Sequence, residues 1–493
     1  MRSATQIALV IIASCSVLVS ASTNQVARAD EPVAKVKTLR AGAFAIDITP
    51  LKFPVVISGG ILPRYGTKVT DRLHARALVL DDGTSQIAIV IVDSLMISRA
   101  LLDQAKTLAH RATGIPVDRM LIAATHTHSA PAVIGCHATD PDMEYARLLV
   151  RQIAKGIALA KKNLRPARIG WAMGKDERNV FCRRYLMKPG KAATNRFSGT
   201  KNDRAQMNPG YNNANKIKRT GPADKNVAVM SIQTLQGQPI ALLSNYSTHY
   251  VGSPPVSADY FGVFCRKIAR MLEAENVSPP FVAALSNGTS GDANCLDFDR
   301  PSGRKFDRFT VAEDVAQAAM KAYTRIQYYD WVPLEMKEAR MTLGVRMPGK
   351  EEVAEAKQFL AEVPGGRPRN IIESYARETV LLAQLPPTRE IKLQAIRIGG
   401  LGITAMPNEV FGSTGLTIKK RSPLKTTFNI ELANGHAGYL PPPDQHKLGG
   451  YTTWRARSSL LEVEAEPKIV AKVVELLGKV AKRRADQKPV PSK

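Results

Sequence analysis

The chain has 493 residues, 44% of them hydrophobic, with a formal net charge of +26. The length and apolar share are ordinary for a globular protein of one to three domains. The Lys and Arg residues are scattered, without an aromatic-interleaved basic motif, so nucleic acid is excluded as the expected partner; the charge favours anionic surfaces such as phospholipid headgroups or acidic polysaccharide.

Residues 1–29 stand apart. One early positive charge precedes a nearly unbroken apolar run over 7–20, and Ala27-Arg-Ala29 offers a small-x-small cleavage site. This pattern predicts a secretory signal peptide, too short to span a bilayer, and hence an exported protein, periplasmic or secreted. An alternative is lipidation at Cys15, because Ile12-Ala-Ser-Cys15 resembles a lipobox. Loss of Arg2 and Arg28 would leave a mature charge of +24. Cys136, Cys182, Cys265 and Cys295 would remain, at separations that exclude a CxxC motif. They can form up to two disulfides or stay as buried thiols.

In chain order, alternation predicts a strand over 41–48, a loop around Gly59-Gly60, and strands over 73–80 and 86–92 around Asp81-Asp-Gly83. A helix follows over 100–112, then an apolar strand over 120–124 and an amphipathic helix over 143–163. Residues 187–225, rich in Lys, Asn, Gly and Pro, predict a long irregular loop that could cover a pocket. Strands over 227–234 and 239–246, a helix over 260–275, a strand over 280–285 and a helix over 310–326 come next. Helices over 349–362 and 370–384, strands over 391–398 and 401–406, a helix over 408–419, a strand over 426–432 and a helix over 460–482 complete the pattern. It predicts one α/β domain over 30–485, with mixed β-sheets flanked by helices, and a disordered tail over 486–493.

Four places deliver a potential metal ligand just past an apolar strand. His126 and His128 follow Met120-Leu-Ile-Ala-Ala124 and, two apart, would share a face if the strand continued. His249 ends 239–249, Glu409 follows 401–405, and Tyr439 leaves a glycine-rich turn. Several strand ends can converge on one crevice in α/β proteins. Two His and one Glu form a catalytic zinc set that leaves a position for water. Taken singly, His249 reads as a core histidine, Glu409 as a first-turn helix carboxylate and Tyr439 as a packed aromatic; His436 and His446 read as solvated loop histidines, and nothing places His137.

In order, Ala41 to Pro50, Arg72-Leu-His-Ala-Arg-Ala-Leu78, Thr125-His-Thr-His-Ser129, Asn245 to His249, Ser257 to Gly262, Pro407-Asn-Glu409 and Asn434 to Tyr439 resemble the blocks of the neutral/alkaline, non-lysosomal ceramidase family. The resemblance covers most of the chain and concerns that family's catalytic region. It implies zinc ligands at His126, His249, Glu409 and Tyr439, a second active-site histidine at His128, a pocket arginine at Arg183 (or Arg184) and a substrate-orienting tyrosine at Tyr451. One motif departs from the family: its Gly-Asp-Val-Ser reads Gly291-Asp-Ala-Asn294, so a serine becomes Asn294. The family's C-terminal β-domain is not expected within these 493 residues.

The expected activity is zinc-dependent hydrolysis of an amide bond in an N-acyl lipid or related acylated amine, as in sphingolipid metabolism. One zinc ion per chain is expected, with a second divalent cation or an orienting role at Asp292. His128 would carry a proton, and Tyr451 and Arg183 would stabilise the oxyanion. Partners would be a small-molecule or lipid substrate and an anionic membrane surface. A same-fold hydrolase acting on a glycan or small metabolite, and a non-catalytic binding protein, are the alternatives.

Overall fold

A computed structural model describes residues 37–482 and 489–492. The signal peptide and Cys15 lie outside them. The larger sheet is built on β1 (Arg40–Asp47), β2 (His74–Asp81), β3 (Gln86–Val92), β4 (Met120–Ala124), β5 (Arg165–Lys175), β6 (Asn226–Thr234), β7 (Pro239–Tyr246) and β8 (Val282–Asn287). Their order is β8-β7-β6-β5-β1-β2-β3-β4. The pairs β7–β8 and β3–β4 are parallel and the others antiparallel. Gln327–Trp331 extends this sheet beside β5, and Val490–Pro491, within the segment read as a tail, pairs with it. A second sheet runs β9 (Leu334–Gly344), β10 (Thr388–Ile398), β11 (Leu401–Ala405), β12 (Thr426–Ile430), with β11 and β12 parallel.

Alternation of side chains along each strand gives the sheets two apolar faces, and each finds a cover. Leu78, Leu80, Ile87, Ile89 and Ile91 face Met336, Ile396, Ile398 and Ile403 in a core between the two sheets. Their alternates, Ala77, Val79, Ala88 and Val90, pack under the helices Arg99–Thr113 and Met143–Lys162. Asp259–Met271 and Arg308–Tyr323 cover the β6–β8 side of that outer face. Ala465–Ala481 covers the second sheet. The result is a helix–sheet–sheet–helix arrangement, consistent with the predicted α/β class.

The helices begin where their sequences cap them. Ser98 accepts the Leu101 N–H and Asp142 accepts the Tyr145 N–H, each satisfying an orphan donor of the first turn. The segment expected to be one irregular loop, 187–225, instead contributes Ala205–Met207 and Lys216–Arg219 to a three-stranded sheet around Arg184–Met187. All four cysteines are buried free thiols. No described helix is long and apolar enough to cross a membrane.

The parallel pairs bring the C-terminal ends of β4, β7, β8, β11 and β12 toward one place. The chain leaving β12 threads between β4 and β8: Glu431 N–H donates to Asn287 O, Ala124 N–H to Leu432 O, and Asn434 N–H to Ile122 O. This crossing unites loops that are far apart in sequence.

Candidate metal centre

His126 and His128 lie beyond the end of β4, in a turn, and not on a continued strand. His126 takes a left-handed backbone, φ 73°, which is uncommon outside glycine and concentrates at functional positions. The turn, and not strand alternation, aims both rings inward. His249 arrives from the end of β7. His126 Nε2 lies 3.0 Å from His249 Nε2 and 3.2 Å from His128 Nε2. All three rings are buried.

Each histidine is fixed through its other nitrogen. His126 Nδ1 is 2.9 Å from Leu95 O, His128 Nδ1 is 2.7 Å from Gly59 O, and His249 Nδ1 is 3.2 Å from Ser290 O. A carbonyl oxygen only accepts, so each Nδ1 carries the hydrogen and each Nε2 of a neutral ring is bare. Burial and the nearby His126 hold His128 well below the ordinary histidine range; burial and Arg183 do the same for His249. Bare lone pairs 3.0 and 3.2 Å apart repel one another unless a cation lies among them. Donors bound tetrahedrally at zinc–nitrogen distances stand about 3.3 Å apart. His126, His128 and His249 thus form a buried group able to hold a metal ion.

Glu409 reaches the same place from β11. Its Oε2 is 3.4 Å from His126 Nε2, buried, and without a hydrogen bond. Burial alone would push its pKa up, but the neighbouring His126 and His436 outweigh it and hold the carboxyl well below the usual range, so it is anionic. Glu409–Val410 is a two-residue strand paired in parallel with Tyr439–Leu440, and Glu409 sits opposite Tyr439. The helix expected from 408 starts only at Gly412, because residues 409–410 are spent on this pairing.

A cavity of about 270 Å³ opens on this cluster. Its lining includes Arg183, Asn208, Tyr250, Tyr439 and Tyr451 as well as the three histidines and Glu409. Tyr439 and Tyr451 share a hydroxyl–hydroxyl hydrogen bond of 2.9 Å, and burial pushes both phenols up. Arg183 Nη2 lies 3.3 Å from His249 Nε2 and donates to Gly291 O. Arg184, the neighbouring candidate, does not line the cavity. It is fully buried and donates to Gln445 Oε1 and Thr452 Oγ1, bracing the turn that carries Tyr451.

Asp292, a predicted site residue, and Asn294, in the serine position, stand behind the cavity, not in it. Asp292 accepts from Gly412 N–H and from the Cys182 thiol, while its carbonyl receives Arg183 N–H. It therefore shapes the wall, and among the described residues no second group of three His, Cys, Asp or Glu donors converges beside it. Asn294 donates to Asn208 Oδ1, so the amide in the serine position supports a cavity residue.

The sequence reading misjudged or missed two contributors, His436 and Glu431, and left a third, His137, unplaced. His137 lines the cavity, and His436, expected in solvent, is buried with Nε2 3.9 Å from Glu409 Oε1. Glu431 is fully buried among the strand-end loops. Its signal was a lone carboxylate inside the apolar run Phe428-Asn-Ile-Glu-Leu-Ala433.

A helix–sheet–sheet–helix body with a buried histidine cluster at converging strand ends defines the class. No protein-family profile matches the chain. Among solved structures, a ceramidase complexed with C2 aligns with TM-score 0.66 and 16% identity, over 90% of this chain and 75% of that one. The neutral ceramidase from Pseudomonas aeruginosa aligns with TM-score 0.65 and 16% identity, over 93% and 77%. The chain has the fold of the neutral ceramidases, as its ordered motifs implied.

Proposed function

We propose that the chain is an exported, zinc-dependent hydrolase cleaving an amide bond of an N-acyl lipid, N-acylsphingosine-like, or of a related acylated amine. The carrying observation is the convergence of three Nδ1-anchored histidines whose bare Nε2 atoms face one another beside an anionic, unpartnered Glu409 oxygen. His126, His249 and Glu409 would hold one zinc ion, with Tyr439 as a further ligand. When bound, zinc supplies Lewis-acid polarisation of a carbonyl and a water that ionises near neutral pH. His128 faces the cluster with a bare Nε2 and serves as the proton carrier to the leaving amine. Tyr451 and Arg183 donate to the oxygen on which charge develops. Asp292 positions Arg183 through its carbonyl.

The compact cavity favours, as a second reading, a hydrolase of the same fold that takes a glycan amide or small metabolite. For the lipid reading, Leu51 and Phe53 are exposed just before the hairpin Val55–Ile57/Arg64–Gly66, Tyr65 is exposed on it, and Lys52 between the first two ion-pairs with Glu144. The turn of that hairpin lines the cavity at Gly59 to Ile61. These exposed apolar side chains, with the net charge of +26, support peripheral contact with an anionic membrane.

Elemental analysis of the purified mature protein beside a His126→Ala/His249→Ala/Glu409→Ala variant tests the reading. About one zinc per chain, lost in the variant, with turnover of acyl amides, is the expected result. No metal after reconstitution overturns it. Metal without turnover of any amide or ester identifies a binding protein on this scaffold.

A further inference from the structure

We infer that Glu431 is a positioning residue of the metal centre, tying the loop behind His249 to the backbone beside Glu409. The inference rests on the reading of His249 and Glu409 as metal ligands and goes beyond it. Glu431 reaches neither the cavity nor a ligand side chain, yet three donors converge on its two oxygens. Ser290 Oγ–H donates to Oε1 at 2.5 Å, while Ser290 N–H and Val410 N–H donate to Oε2 at 3.2 and 2.8 Å. One buried carboxylate thus joins residue 290, after β8, to residue 410, beside Glu409.

The hydroxyl matters for a second reason. Burial and the nearby Glu409 push the Glu431 carboxyl up, but the two backbone N–H groups and the hydroxyl around it hold it as an acceptor; Ser290 has one hydrogen to give, and Glu431 takes it. Its oxygen is left as an acceptor, 3.3 Å from His249 Nδ1 and 3.0 Å from Asn287 Nδ2. With Ser290 O also facing that nitrogen, His249 is held as the Nδ1–H tautomer, and its Nε2 points bare at His126. Without Glu431, Ser290 can turn its hydrogen toward His249 Nδ1, which favours a hydrogen on Nε2 and blocks the metal-binding lone pair. Partners of this kind behind a ligand commonly govern metal affinity by 10–100-fold.

The test uses the full mature chain as wild type, Glu431→Gln, Ser290→Ala and the double variant. Each is stripped of metal and titrated with zinc against a chromogenic chelator, and the metal-free forms are labelled with ¹⁵N-histidine for NMR. The expected result is roughly 10–100-fold weaker zinc binding in each single variant, and a double variant within about twofold of the weaker single. The His249 Nδ1–H signature should persist in the metal-free wild type and be lost or mixed in Glu431→Gln, a change that mere loosening of the fold does not produce. A zinc-binding wild type matched by Glu431→Gln within about twofold, or losses that multiply in the double variant, overturns the role of Glu431 alone. If Glu431→Gln does not fold, unchanged affinity in Ser290→Ala overturns it equally. A wild type that binds no zinc overturns both this inference and the metal reading beneath it.

Discussion

The chemistry of the site is decided by which nitrogen of each histidine is occupied. His128 shows how little room that leaves. Its Nδ1 contacts Gly59 O, and Gly59 has φ 111° with a Cβ direction that ends 2.6 Å from the same nitrogen. Any side chain there must push the imidazole away. Gly59→Ala should lower kcat at least tenfold, about 1.4 kcal/mol in barrier, with Tm reduced by only a few degrees. Turnover measured beside thermal melting checks this. At this scale the histidine pair was legible, because two His after an apolar strand is a local pattern. Glu431 was not, because its hydroxyl partner lies 141 residues away.

Among the elements, the predicted strands that alternate or run apolar were found nearly in place, β3 and β4 within the bounds expected. Two long strands were missed. β5 carries Pro166 and two glycines, and β9 reads Leu-Glu-Met-Lys-Glu-Ala-Arg-Met, a string of helix formers. Pairing along the whole length of β10, from Leu334 opposite Ile398 to Gly344 opposite Thr388, overrides that preference. The helix Arg99–Thr113 carries a different conflict. Lys106 is buried, its Nζ has no hydrogen-bond partner, and burial drops its pKa from 10.5 to about 8. Between those values the unfolded chain binds more protons than the folded one, so stability rises with pH there. The cost is fully present below pH 8 and is of order 3 kcal/mol. Lys106→Met should therefore unfold at higher urea at pH 7, with the gap from wild type shrinking between pH 8 and 10.5; a constant gap would refute it.

Across the whole molecule, the candidate centre joins loops from both sheets: His126 and His249 follow strands of the larger one, Glu409 a strand of the smaller. An ion bound to the folded chain alone stabilises it by mass action. Chelation should lower Tm by several degrees, with recovery on adding zinc, and the His126→Ala/His249→Ala/Glu409→Ala variant should melt alike with and without chelator. The net charge of +26 predicts that any binding to anionic vesicles weakens steeply from 50 to 500 mM salt. Leu51→Ser with Phe53→Ser should reduce the part of binding that persists at high salt, as co-sedimentation would show; neutral phosphatidylcholine vesicles serve as the reference.

The sequence by itself determined the α/β class, the larger part of the strand and helix order, and which histidines and which glutamate were candidates for the site, because each is written in local periodicity or in a short motif at a strand end. Tertiary structure alone decided that two sheets pack face to face, that residues 431–434 thread between β4 and β8, and that Glu409 stands opposite Tyr439. It also decided that Asp292 and Asn294 lie behind the wall while His137 and His436 line it. These outcomes depend on contacts between distant segments, whose partners are chosen by burial and hydrogen-bond satisfaction over the whole chain.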